Sequence, residues 1–217
     1  MSKLCPCCGT DTHYVFNKQV LGKHSARYVE CDSCQTLFVE SPTWLDEAYA
    51  DPARDDRLDS GASWRNQTAA RFLLELRLPN TPWIDFGCGR GLLKGFLPKQ
   101  VVVDHDPQRG IYGDLSQDYV AVISLEVLEH QVEPLLFLSG LTRVLSDGGT
   151  IVLSTTLRDP KRHGSQWDYL ALEGGQHVFF PTKPGLVHLA SQVGLIVVST
   201  TTFEHNLQLH ILKRPST

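Results

Sequence analysis

No run of apolar residues in this chain approaches the roughly 20 needed to span a bilayer as a helix. The N-terminus, Met1-Ser2-Lys3-Leu4-Cys5, has none of the apolar core that a signal peptide carries, so the cytoplasm is the expected location. Long basic runs are missing too. The net charge is −4 and the pI about 6.1, so binding driven by phosphate contacts has little support, and nucleic acid is not an expected partner. The chain shows no internal repeat and no low-complexity tract. What it does have is an apolar content of 41% and a charged content of 20% over 217 residues, which fits a globular protein with one domain of ordinary size and a small appendage.

Five of the six cysteines lie before Glu40. In a reducing compartment such a cluster points to metal thiolates rather than disulfides. Cys5-Pro6-Cys7-Cys8 and Cys31-Asp32-Ser33-Cys34 supply two C-x2-C knuckles, with 22 residues between Cys8 and Cys31. That interval is slightly beyond the roughly 15–20 of a usual zinc ribbon. Four thiolates from Cys5, Cys8, Cys31 and Cys34 suit tetrahedral Zn²⁺, with iron as the alternative metal, and a closed site of this kind is structural. Tyr14, Val15, Phe16, Tyr28 and Val29 between the knuckles suit a small β-ribbon. Cys7 is surplus and reads as a bystander. Cys88 reads as a small packing residue.

The most informative stretch is Trp83-Ile84-Asp85-Phe86-Gly87-Cys88-Gly89-Arg90-Gly91. An apolar strand ends in an acid and then bends through Gly87, Gly89 and Gly91, where bare backbone can approach a ligand closely. A dinucleotide fingerprint would read G-x-G-x-x-G, but the third glycine comes one residue early and Leu92 stands in its place. Asp85 would also repel a pyrophosphate. A ligand carrying positive charge fits better.

From Pro82 onward strand and helix signals alternate. Strands are predicted at 83–86, 101–104, 120–125, 150–155, 195–202 and 207–213, with a short one near Ile111-Tyr112. Helices are predicted at 91–97, 134–145 and 184–193, with another at 63–78 before the first strand and a short one at 44–49. This order predicts an α/β fold with a Rossmann-like, mostly parallel seven-stranded sheet. The last two strands are close enough in sequence to form an antiparallel hairpin. Asp104 and Ile111 are only about seven positions apart, too close for a full crossover helix, so the fold is expected in trimmed form. The expected organisation is a zinc ribbon over 1–40, a connector over 41–62 and the α/β domain over 63–217.

The glycine stretch resembles the first motif of class I S-adenosylmethionine-dependent methyltransferases. Four further segments follow in the order that family needs: Val101-Val102-Val103-Asp104, Gly113-Asp114-Leu115, Ser124-Leu125-Glu126-Val127-Leu128-Glu129-His130, and Arg143 to Thr150 with Gly148-Gly149 at a helix exit. The resemblance implies S-adenosyl-L-methionine as cofactor, with Asp85, Gly87, Gly89 and Gly91 at the bend and Asp104 on the ribose hydroxyls. It further implies Asp114 and Leu115 on the adenine side and Glu126 toward the methionine end. Glu129 and His130 read equally as capping and orienting groups, and Asp106 as a turn former. The cysteine knuckles, followed by Phe38, Pro42, Leu45 and Tyr49, resemble a subgroup with a zinc ribbon before the catalytic domain, in which sugar and other small-molecule methylation is known.

The acceptor side is expected from the segment after the fifth strand, Gln166 to Phe180, which is rich in groups able to line a pocket. His177 is the preferred general base, since imidazole titrates near neutrality. His205 and Tyr169 are the other catalytic candidates. The expected function is methyl transfer to a small-molecule acceptor, a nucleotide-linked sugar being one candidate. The alternatives are an RNA methyltransferase and a zinc-ribbon binding protein on a methyltransferase fold without turnover.

Overall fold

A computed structural model describes residues 3–51 and 61–215. Residues 52–60, within the connector expected at 41–62, lie outside the described residues. Contacts group the chain into two compact units interleaved along the sequence. One draws on the described residues of Met1–Leu58 with Leu128–Leu138 and Thr156–Val193. The other draws on those of Asp59–Val127, Ser139–Thr155 and Gly194–Thr217.

The first unit is built on an antiparallel sheet of β1 (Thr12–Val20), β2 (His24–Cys31), β3 (Leu37–Val39) and β8 (Phe179–Phe180), in the order β1-β2-β3-β8. The fourth strand comes from far along the chain: Leu37 pairs with Phe180 and Phe38 with Phe179. Alternation along β2 turns Ala26 and Tyr28 into a core with Leu37, Val39, Trp44, Ala48, Leu170, Val178 and Phe180. Helix α1 (Leu45–Tyr49) adds Trp44 and Ala48 to that core, and the Trp44 indole donates to the Gly175 carbonyl at 2.7 Å. Arg158 is buried and pairs with Glu30 at 2.5 Å while donating to the Gln35 carbonyl, so its charge is both matched and hydrogen-bonded.

The second unit holds a six-stranded sheet, in the order β5-β4-β6-β7-β10-β9, made of β4 (Trp83–Phe86), β5 (Val102–His105), β6 (Tyr119–Leu125), β7 (Leu145–Ser154), β9 (Ile196–Thr202) and β10 (Gln208–Lys213). β5, β4, β6 and β7 run parallel, and β10 is antiparallel to both its neighbours, as the closing hairpin requires. Val122, Ile123, Ile151, Val152 and Leu153 are fully buried, as expected for strands covered on both faces. Helices α2 (Ala62–Glu75) and α3 (Leu92–Gly95) contribute Ala69, Ala70, Leu73 and Leu93 to a core with Trp83, Ala121, Ile123, Val152 and Leu209. Helix α4 (Pro134–Arg143) precedes β7, and α5 (Lys183–Gln192), in the first unit, starts at Thr182, whose side chain accepts from the Gly185 N–H.

Two expectations change. The strand predicted near Ile111-Tyr112 is a single antiparallel bridge, Asp106 to Ile111, so the sheet has six strands among the described residues. Pro107–Arg109 forms only one tight turn, and the chain doubles back before a further strand can align. Gly148-Gly149 does not close a helix. Helix α4 ends at Arg143, and Gly148, with φ +70°, sits where β7 shifts register against β6.

Leu73 is fully buried at the centre of the second unit's core. Leu73→Ala should therefore lower unfolding free energy by about 3 kcal/mol in urea denaturation, with the slope against urea unchanged.

Candidate active site

The glycine bend is shaped by backbone conformations that side-chain-bearing residues rarely adopt. Gly87, Gly89 and Gly91 take φ of +83°, +55° and +66°. A Cβ on Gly87 would meet Val127 Cγ2 at 2.5 Å, and one on Gly91 would meet Asp104 Oδ2 at 2.8 Å. The bend is tied to β5, because the N–H groups of Gly87 and Cys88 both donate to the His105 carbonyl, at 2.7 and 3.3 Å.

Parallel pairing of β4 with β5 sets Asp85 beside Asp104. Asp106 adds a third carboxylate, which accepts from the Gly89 N–H at 2.9 Å. Sequence reading took Asp106 for a turn former, and it does open the turn at Pro107. Its second role, bracing the bend, depends on a contact 17 residues away that local sequence does not signal. Burial, then the charges of Asp104 and Asp106, push Asp85 up to about 8, with Lys94 acting in the opposite direction. Lys94 sits on Asp104 Oδ2. Asp104 Oδ1 is a buried acceptor with no hydrogen-bond partner among the described residues. An oxygen of this kind suits a hydroxyl donor such as a ribose offers. The acidic set as a whole suits a cation and disfavours a pyrophosphate.

His105, not singled out from sequence, is buried next to Asp104. Burial lowers its pKa, and its Nδ1 accepts from the Gly113 N–H at 3.2 Å. Its ring lies 4.6 Å from that of Phe86. Asp114 and Leu115 are exposed. Asp114 accepts from the Ser116 N–H and hydroxyl at 2.8 and 2.6 Å, and these bonds lower its pKa. Glu126, at the end of β6, has a left-handed φ of +54°; its N–H reaches Ser154 Oγ at 2.8 Å, and that hydroxyl donates back to Glu126 Oε1 at 2.7 Å.

In the first unit, Tyr169 and His177 come together with Glu129, His130 and Tyr49. Tyr169 donates to Glu129 Oε1 at 2.7 Å and accepts from the Thr156 N–H at 3.1 Å. His177 Nδ1 lies 2.7 Å from the Tyr169 carbonyl, which can only accept, so Nδ1 carries a proton and, in the neutral ring, Nε2 carries the lone pair. Tyr49 Oη is 3.0 Å from His130 Nδ1. His205 belongs to the second unit, in the turn before β10, with its ring edge-on to Trp64 at 5.0 Å.

The cysteine cluster also gathers as the spacing suggested. Cys5 and Cys34 sulfurs are 3.6 Å apart, and those of Cys8 and Cys31 are 3.4 Å apart. A tetrahedral ion with bonds of about 2.3 Å to sulfur sets its ligands about 3.8 Å from one another, so the four thiols fit such an ion. Backbone N–H groups of Cys7, Ser33 and Cys34 point at Cys5 or Cys31 sulfur, as suits thiolates. The Cys5–Cys34 hydrogen bond pushes Cys5 up and Cys34 down, a conflict that a shared cation removes. Cys7 is not one of the four; it is buried against Cys5 and Cys34, its sulfur beside Thr36.

The parallel sheet, its closing hairpin, the acid-tipped strands and the glycine bend define a class I S-adenosylmethionine-dependent methyltransferase fold, and the cysteine cluster before it is consistent with a zinc ribbon. The methyltransferase domain family matches residues 62–200, and the chain belongs to that family. Among curated proteins it is similar to the ubiquinone biosynthesis O-methyltransferase of Cereibacter sphaeroides, 30% identical over a match covering 59% of this chain and 67% of that one. The protein of the same description from Dinoroseobacter shibae is 28% identical with the same coverage. Among solved structures, mitomycin 7-O-methyltransferase superposes with a TM-score of 0.59 at 14% identity, over 79% of this chain and 60% of that one. Magnesium protoporphyrin IX methyltransferase from Synechocystis, with bound SAH, gives 0.53 at 17% identity, over 71% of this chain and 84% of that one. This chain thus spans about 60% of the length of the first of these structures.

Two outcomes follow. Asp85 holds a proton in the folded chain up to about pH 8, whereas the unfolded chain loses it near pH 4. Stability of the ligand-free protein should therefore fall as pH rises from about 4 to 8, and Asp85→Asn should flatten that slope in urea titrations run across pH. Elemental analysis should find one tightly held metal ion per chain at the cysteines, and Cys31→Ser should lose it together with several degrees of Tm.

Proposed function

We propose that this protein transfers a methyl group from S-adenosyl-L-methionine to a hydroxyl of a small-molecule acceptor, and that its cysteine cluster holds a structural zinc ion. The observation that carries the first part is the convergence of Asp85, Asp104 and Asp106 on a bare glycine bend, with one buried Asp104 oxygen still able to accept. When bound, S-adenosylmethionine would supply a sulfonium methyl for in-line attack by an acceptor lone pair, the C–S electron pair leaving with the sulfur of S-adenosylhomocysteine. Asp85, Gly87, Gly89 and Gly91 are assigned to the positively charged end of the cofactor. Asp104 is assigned to the ribose, Asp114 and Leu115 to the adenine, and Glu126 to the methionine end.

On the acceptor side His177 is assigned the proton. Its Nε2 lone pair is the one fixed by the Tyr169 carbonyl. Tyr169 ranks below it, because its own proton is given to Glu129. His205 also ranks below it, because its imidazole stands in a hairpin turn among exposed residues. A small hydroxylated acceptor is supported by the curated relatives, which are described as O-methyltransferases, and by the acidic net charge of this chain. A nucleotide-linked sugar is one acceptor to try.

The test is calorimetry with S-adenosylmethionine followed by turnover on sugar nucleotides, phenols and RNA. Asp104→Ala should weaken cofactor binding roughly tenfold to a hundredfold, the worth of hydrogen bonds to a charged acceptor. His177→Ala should lower kcat about 100-fold or more with cofactor affinity retained. Tight, salt-sensitive binding of RNA with turnover on it, or no cofactor binding at all, would overturn the reading.

A further inference from the structure

Glu129, His130 and His177 each present one ligand atom, and the three atoms lie within 4.8 Å of one another. We infer that these residues form a second metal site, separate from the cysteine cluster, which takes one divalent first-row cation and presents it to the acceptor's oxygen. The inference rests on the acceptor-side reading above and changes one part of it: His177 acts on the acceptor hydroxyl through the cation, and the hydroxyl's proton passes to solvent water instead of to His177.

Four observations support a built site. First, the ligands are fixed by backbone. Glu129 and His130 share the tight turn Leu128–His130, and the Val178 N–H, one residue after His177, donates to the Glu129 carbonyl at 2.8 Å. That bond holds the two ligand-bearing segments side by side, and pairing of Phe179-Phe180 with β3 anchors the second segment. Second, the His177 tautomer is the one a ligand needs. A metal-bound imidazole gives its other N–H to a carbonyl or carboxylate, and here Nδ1 gives its proton to the Tyr169 carbonyl, so Nε2 carries the lone pair. Third, the neighbours orient the remaining ligands. Tyr169 Oη donates to one carboxylate oxygen of Glu129, and Tyr49 Oη lies 3.0 Å from His130 Nδ1. Fourth, Glu129 is fully buried, and a carboxylate taken out of water gains from a charge of opposite sign beside it.

Two imidazoles and a carboxylate suit Zn²⁺, Mn²⁺ or Fe²⁺ and leave coordination positions open. An ion held this way would polarise a hydroxyl and lower its pKa, which is the assistance an alcohol or phenol needs as a methyl acceptor. The cysteine site, with four sulfur ligands, has no such opening.

The test is titration of the zinc-loaded protein with Mn²⁺ alone, followed by calorimetry and electron paramagnetic resonance, with neither cofactor nor acceptor present. One Mn²⁺ site per chain is expected beyond the cysteine-bound metal. Glu129→Gln and His177→Ala should weaken it by about 100-fold and Tyr169→Phe by about tenfold. Co²⁺ at this site should lack the intense sulfur-to-metal absorption that Co²⁺ at the cysteines shows. Failure of the wild-type protein to take up Mn²⁺ overturns the inference without recourse to any variant, as does binding that Glu129→Gln and His177→Ala leave unchanged. Methyl transfer that persists undiminished in a chelator that strips the Mn²⁺ site but not the zinc would leave His177 as a direct base and also overturn it. Loss of S-adenosylmethionine binding with Mn²⁺ uptake intact would instead strike the methyltransferase reading.

Discussion

Negative charge crowded at one bend of the backbone is the constraint on which the second unit depends. Asp85 and Asp104 stand side by side because β4 and β5 run parallel in register, and Asp106 follows two residues later. Burying one carboxylate is costly, and placing two more beside it raises the cost further. The fold tolerates the arrangement by holding Asp85 protonated until about pH 8, by setting Lys94 on Asp104, and by using the Gly89 N–H to bind Asp106. Such an arrangement is a standing preference for a cation. It also explains Gly91, since a Cβ there would strike Asp104, while one at Gly87 would strike Val127.

The first unit solves a different problem. Its sheet is small, and it recruits a strand and a helix from beyond residue 155. Phe179-Phe180 completes the sheet, and α5 packs so closely that a Cβ on Gly185 would lie 2.1 Å from Thr36 Oγ1. The same recruited segment brings Tyr169 and His177 to Glu129 and His130. The segment that completes the ribbon's core therefore also builds its polar cluster.

Much of this was legible in the chain itself. The two cysteine pairs, the acid and glycines after an apolar strand, and the alternation of strands and helices all depend on neighbours within a few residues, and each appears as expected. The hairpin of β9 and β10 was readable for the same reason. Gly148-Gly149 was misread because a left-handed glycine serves a strand irregularity as well as it serves a helix end, and only the pairing partner distinguishes them. The short strand near Ile111 failed because β propensity says nothing of whether a neighbouring strand is available. The bracing role of Asp106, read only as a turn former, and the place of His105 were not legible because their partners, Gly89 and Gly113, are reached only through folding.

The chain order by itself determined the local chemistry: which residues bend, which alternate, and which thiols can meet within a knuckle. Tertiary structure alone decided which distant groups share a place: Asp85 with Asp104, Glu129 with Tyr169 and His177, Leu37 with Phe180. The physical reason is range. Backbone preference and hydrophobic period act over a turn or a strand, whereas charge crowding, buried hydrogen bonds and ligand geometry depend on strand order and register, which only the packed core sets.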